Sequence, residues 1–218
     1  LTPWQKIALQ LVCGAGFLFA VRCFGDSSTK IDLGFWRSPS LGIFYYILMM
    51  AVIIYLTNAV NLTDGVDGLC GSVTFCAMLI FTVCCSILGQ NEMTCFTMAL
   101  AGGCLGFLIW NFHPAKCFMG DTGSLFLGGM VAALGFAIKC PLLLLPIGIV
   151  YVFETMSDII QIGYFKITHG KRVFKMAPIH HHFEMCGWKE KKICVVFSAV
   201  NAIGCLIAVL LIYLGSAK

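Results

Sequence analysis

Seven long apolar runs, most of them without a charged residue, decide what this chain can fold into. They cover roughly 7–24, 41–60, 68–89, 95–112, 123–138, 140–163 and 193–215. The second, third, fourth, fifth and seventh contain no Asp, Glu, Lys or Arg. A helix crosses a bilayer core with about 20 apolar residues, and in hydrocarbon its backbone polar groups must be satisfied internally. Composition agrees: 60% of the 218 residues are apolar and 11% charged, against about 25% charged in soluble domains. The expectation is an all-α polytopic integral membrane protein, one transmembrane domain over 1–218 with about seven spanning helices. A soluble domain, a disordered chain and a nucleic-acid module are excluded.

The other two runs are informative because they break the pattern. The first holds only Arg22, close enough to its end to snorkel. The sixth carries Glu154 and Asp158, which predicts a helix that is bent or partly outside the bilayer. Between the fifth and sixth, Lys139-Cys140-Pro141 reads as a tight turn. The 13 cysteines include no C-x-x-C pair and fall mainly inside apolar runs, so they read as small hydrophobes rather than zinc ligands.

Alternating the runs sorts the loops into two families. One contains Lys6, Lys116, Lys166, Lys171, Arg172, Lys175, Lys189, Lys191 and Lys192; the other has Arg22, Lys30, Arg37, Lys139 and Lys218. The excess of cations assigns the first family to the cytoplasm. That side also carries all five histidines, together with Asp64, Asp67 and Asp121 and the glycine turns around them. The opposite loop 25–40 reads as an ordinary solvated connection.

Three stretches on the cytoplasmic side carry chemistry. Asn61-Leu62-Thr63-Asp64-Gly65-Val66-Asp67-Gly68-Leu69 places two carboxylates three residues apart, suited to Mg²⁺, a sugar hydroxyl or a nucleobase N–H. A helix end capped by Asp with a glycine turn would look the same. The stretch 111–124 sets Asp121 between Gly120 and Gly123 just before a helix, where backbone N–H groups favour phosphate. Lys116 and the flat ring of Phe118 share that loop, and N-capping by Asp121 or Thr122 is the plainer alternative. In Met176–Glu184, three consecutive histidines suit phosphate contact or proton transfer better than zinc, since no further ligand is spaced to complete a site. Glu154, Asp158 and Gln161 share a helical face and are either buried functional groups or merely interfacial. Carboxylates, lysines, histidines and an aromatic at a membrane surface suit a Mg²⁺-dependent phosphotransferase. An ion transporter would instead spread its acidic residues across the bilayer.

The stretches NLTDGVDGL at 61–69, NFHPAKCFMGDTGSLFLGG at 111–129 and MAPIHHHFE at 176–184 resemble those of the polyprenyl-phosphate N-acetylhexosamine-1-phosphate transferases. The histidine stretch is most similar to the bacterial phospho-N-acetylmuramoyl-pentapeptide branch. The resemblance implies transfer of that phospho-sugar from its UDP carrier to undecaprenyl phosphate, giving lipid I and UMP in peptidoglycan synthesis at the bacterial inner membrane. It implies Mg²⁺ as cofactor, with Asp121 as its ligand, and possible homodimers. Asn61, Asp64, Asp67, Phe118 and Gly120 match the nucleotide-side pocket, with Phe118 stacking on uracil. Gln161, Ala177 and His181 match positions lining the same pocket, with Asn111, Lys116 and His182 as further substrate contacts. His180 matches a histidine near metal and phosphates, and Lys6 a cation facing the diphosphate. Asp121, His180, Asp64 and Lys6 are thus the expected catalytic set. The chain departs from the family at its front. Ten helices are usual there, and an Asp-Asp pair precedes the segment resembling LTPWQK. These 218 residues alone are accordingly expected to be inactive or nearly so.

Overall fold

The computed structural model describes residues 2–25, 29 and 40–216, and these are all-α in architecture. The chain enters through a capping box, in which Thr2 accepts from the Gln5 backbone and Gln5 reaches back to the Thr2 N–H. It continues through α1 (Pro3–Phe24), α2 (Ile43–Thr63), α3 (Leu69–Ile87), α4 (Asn91–Asn111) and α5 (Gly120–Ala137). A 3₁₀ turn, Pro141–Leu143, leads into the short α6 (Leu144–Ile147). The order closes with α7 (Ile149–Ile167), α8 (Ile179–Met185) and α9 (Glu190–Ser216).

Helix α3 is the centre of the bundle. Leu69, Cys70, Val73, Ala77, Met78, Phe81, Cys84 and Cys85 on it are all fully buried, and it packs on α4 and α9. Buried hydroxyls stay satisfied without water. Thr74 shares a 2.7 Å hydrogen bond with Tyr151, and Thr82 donates to Thr97 at 2.9 Å. The second large contact joins α2 to α5, and there the backbones nearly touch. A Cβ at Gly128 would lie 2.6 Å from Thr57 Cα and 2.8 Å from the Leu56 carbonyl oxygen. By contrast α1 and α4 are largely exposed and turn apolar faces outward. None of the 13 cysteines is in a disulfide; six are buried, while Cys13, Cys23, Cys95, Cys117 and Cys186 are exposed.

The expected seven spans are not all present as such. Among the described residues five helices, α1, α2, α3, α4 and α9, are long and apolar enough to cross a membrane. The fifth run forms α5, an 18-residue helix whose first turn is Gly-Asp-Thr-Gly, which leaves its apolar part short. The sixth run is broken, as its two acidic residues led us to expect. The Pro141–Ile147 segment and α7 meet at Gly148 with an 82° bend, and counting the pair as one span gives six. Pro146 and Gly148 stand at the break, and beyond it α7 carries Glu154 into a protein-lined interior. The turn expected at Lys139-Cys140 is found. The loop 25–40 falls almost wholly outside the described residues.

Candidate active site

Lys6 lies in the first turns of α1, Asn61 in the last turn of α2, Asp121 in the first turn of α5 and Glu190 at the start of α9. Alternating helix directions therefore bring these residues to one end of the bundle. The Lys6 ammonium donates to Asn61 Oδ1 at 2.6 Å and to Asp121 Oδ2 at 3.4 Å. Asn61 passes the chain onward, its Nδ2 donating to Asp121 Oδ1 at 2.9 Å and to Ser124 Oγ at 2.8 Å. Three helices are thus clasped around one carboxylate. That carboxylate still presents itself to solvent, its side chain 69% exposed.

The electrostatics of the two neighbouring aspartates diverge. The Asn61 hydrogen bond and then the Lys6 charge hold the Asp121 carboxyl below its usual range. Burial, and after it the negative charge of Asp121, push Asp64 up to about 6. Carboxylate oxygens are the hard donors that Mg²⁺ takes, and the Asp121 side chain presents its own largely to solvent. Asp121, with Asp64 beside it, could therefore hold this ion.

Asp67 is engaged differently. Its Oδ2 accepts from His113 Nδ1 at 3.1 Å and from the Ala115 N–H at 3.0 Å. Glu190 Oε2 lies 3.3 Å from the same histidine nitrogen and accepts from the Asp67 N–H at 3.3 Å. These ligand atoms lie within 4.8 Å of one another, a set that could surround a cation. As they stand, they close on each other and tie the α2–α3 turn, the α4–α5 loop and α9 together. Asn111 is a second brace: it is buried, accepts from the Gly68 N–H and donates to the Cys117 carbonyl. Lys116 turns its ammonium over the Trp110 ring, 5.6 Å from the centroid. On the same loop Phe118 projects outward, 76% exposed. Gly120 opens α5.

The three consecutive histidines have three different surroundings. His180 is fully buried, its Nδ1 2.9 Å from Glu154 Oε2. Its ring faces Glu154 on one side and Gly65 on the other, in the turn that follows Asp64. His181 pairs with Glu184 one turn on, and His182 Nδ1 accepts from the Lys175 N–H. Gln161 is spent on the loop after α7. Its Oε1 accepts from the Val173 and Phe174 N–H groups, and its Nε2 donates to the Phe174 carbonyl. Gln161 and Ala177 line a groove of about 390 Å³ beside α7 with Asp158, Lys166 and Arg172.

The structure thus joins Lys6, Asn61 and Asp121 directly, with Asp64 within electrostatic reach. Asp67 and Asn111 hold the adjoining turns, Gln161 and Ala177 belong to the α7 groove, and His182 is held by the Lys175 N–H. Sequence reasoning assigned no site role to three residues that build this end, Ser124, His113 and Glu190, and did not pair Glu154 with His180. Ser124 and His113 stand inside the stretches singled out above, so proximity to those motifs was the available signal. Glu190 had none.

The profile of glycosyl transferase family 4 matches residues 1–139. A Clostridium acetobutylicum protein named phospho-N-acetylmuramoyl-pentapeptide-transferase is 48% identical over 215 residues, covering 96% of this chain and 66% of its own length. Proteins of the same name from Heliobacterium modesticaldum and Streptococcus pneumoniae are 44% and 42% identical, with 97% and 98% of this chain and 66% and 67% of theirs covered. The chain therefore spans about two thirds of the length of the curated relatives it matches. The matched profile and the level of identity agree with the resemblance carried by the three motifs, and the chain belongs to glycosyl transferase family 4.

Proposed function

We propose that this chain carries the phosphate- and nucleotide-binding end of a Mg²⁺-dependent phospho-N-acetylmuramoyl-pentapeptide transferase. The reaction moves the phospho-sugar from UDP to undecaprenyl phosphate, releasing UMP and leaving lipid I for peptidoglycan synthesis. The single observation that carries the reading is the Lys6–Asn61–Asp121–Ser124 clasp with Asp64 beside it. A cation and two carboxylates, aligned at one end of a membrane bundle, suit a diphosphate whose acceptor is anchored in lipid. The names of the relatives supply the substrate class.

Each residue has a definable task in this reading. Asp121, with Asp64, would hold Mg²⁺, which when bound offsets negative charge on the phosphate oxygens. Asn61 and Lys6 keep Asp121 ionised and aimed, and Lys6 adds a positive charge next to the diphosphate. Phe118 offers its exposed ring to the uracil face. Direct in-line attack by the lipid phosphate is the route this set supports, since positioning and charge neutralisation are what it provides. The excess of cations on these loops orients the site toward the cytoplasm, in the bacterial inner membrane.

The test has a binding arm and a turnover arm. In detergent, the purified chain should bind UMP in the presence of Mg²⁺ and lose that binding with EDTA. Joined to the N-terminal third of the Clostridium acetobutylicum relative, it should release UMP from UDP-N-acetylmuramoyl-pentapeptide when undecaprenyl phosphate is added. A folded chain that binds no uridine nucleotide, together with a silent chimera, would overturn the reading. A phospho-sugar trapped on the protein without the lipid acceptor would replace direct attack by a covalent route.

A further inference from the structure

Glu154 and His180 form a buried pair whose outer atoms meet nothing polar. His180 Nδ1 lies 2.9 Å from Glu154 Oε2, and both side chains are at most 1% exposed. Glu154 Oε1 and His180 Nε2 have no hydrogen-bond partner. With the carboxylate oxygen accepting, the shared proton sits on Nδ1, and the hydrogen bond fixes the ring's orientation. That orientation drives the far edge of the ring against Gly65. A Cβ there would stand 2.3 Å from Nε2 and 2.9 Å from Cε1. The imidazole is thus the floor beneath the residue that follows Asp64.

A buried polar pair with unsatisfied atoms is costly. An apolar pair would fill the same space, but it would not fix a ring's rotation. The location of the pair shows what such specificity accomplishes. Glu154 lies six residues past the 82° bend at Gly148, on the face of α7 turned to the bundle, and α7 also packs on α2. His180 belongs to α8, and Gly65 to the α2–α3 turn. One hydrogen bond and one ring contact therefore connect the bent helix to the turn that carries Asp64.

We propose that Glu154 is a positioning residue: by holding His180 Nδ1 it locks the imidazole under Gly65 and thereby sets the placement of Asp64 opposite Asp121. The importance of that placement rests on the function proposed above. The lock itself is a property of the fold and is tested separately from it.

Hydrogen–deuterium exchange of amides 64–68 in the intact chain reads the lock directly. Losing the bond in Glu154→Ala should speed exchange there by about tenfold, with α3 peptides 73–85 unchanged. Glu154→Gln, whose amide oxygen still accepts from Nδ1–H, should stay within about twofold of wild type. On a His180→Ala background, Glu154→Ala should add nothing, because its effect passes through the ring. Mg²⁺-dependent UMP binding should follow the same order across the variants. Unchanged exchange at 64–68 in Glu154→Ala, or additive effects with His180→Ala, would overturn the proposal. If Glu154→Ala fails to fold, Gly65→Ala presses on the same contact from the other side. It must raise exchange at 64–68, and its failure to do so is equally fatal. Should wild type bind no uridine nucleotide, the proposed function falls while the exchange measurement still decides the lock.

Discussion

Substituting Gly128 by alanine should disable the site from about ten ångströms away. The added Cβ would lie 2.6 Å from Thr57 Cα, about 0.8 Å short of ordinary contact at 3.4 Å, and also within 2.8 Å and 3.1 Å of the carbonyl oxygens of Leu56 and Thr57. All three atoms are backbone, so no side chain can swing aside. The helices α2 and α5 must separate by roughly that amount, at an overpacking cost of about 1–3 kcal/mol. Gly128 is seven residues past Asp121, about 10 Å along the helix, and Thr57 precedes Asn61 by one turn. A separation of about 0.8 Å carried to that end stretches the 2.9 Å Asn61–Asp121 hydrogen bond beyond useful length. The expected result is a lower Tm in detergent together with weaker Mg²⁺-dependent UMP binding. Gly129→Ala is the control, because nothing lies within 4 Å of its Cβ position. A Gly128→Ala protein with wild-type Tm and binding would refute the claim that this contact sets the clasp.

Other expectations follow from the same geometry. Asp121→Asn should abolish Mg²⁺-dependent UMP binding and chimera turnover while leaving Tm near wild type, because the side chain is mostly exposed; persisting turnover would remove Asp121 as the metal ligand. Asp64, raised to about 6, binds its proton more tightly in the folded state than in the unfolded one. Its contribution to stability is then complete below about pH 4 and lost as pH rises through about 6, so Tm should fall over that window more in wild type than in Asp64→Asn. Identical pH profiles would contradict the burial and charge repulsion assigned to it. Gln161→Leu deletes three hydrogen bonds to residues 173–174, so trypsin cleavage after Lys171, Arg172 or Lys175 should accelerate about tenfold or more. An unchanged cleavage rate would show that the loop is held by other contacts.

How far the sequence could be read depends on the range of the interaction. Charge-free runs announced the spans, because hydrocarbon excludes charge wherever the run sits in the chain. Glu154 and Asp158 announced the broken helix for the same reason. The shortened α5 was harder to see, since Gly-Asp-Thr-Gly reads both as a loop motif and as a helix start. Local spacing also found Asp64 and Asp121 as candidates. It could not show that Lys6 reaches across 115 residues to Asp121, or that Glu190 closes on Asp67 from 123 residues away. Nor could three adjacent histidines be told apart, because helical rotation, set by packing, buries His180 and turns His182 to a neighbouring loop. Gln161 shows the same limit: a polar residue on a helix face looks identical whether it awaits a ligand or staples its own chain.

The thiols described with the fold turn the protein into its own sidedness gauge. Cys117 and Cys186 are exposed at the end that bears Asp121, whereas Cys23 and Cys95 are exposed near the opposite end, in the last turn of α1 and the second turn of α4. In sealed vesicles of known orientation, a membrane-impermeant maleimide can reach only one of these pairs before the bilayer is opened. Peptide mapping of the labelled chain would then report which compartment the carboxylate clasp faces, with no residue introduced and no activity required.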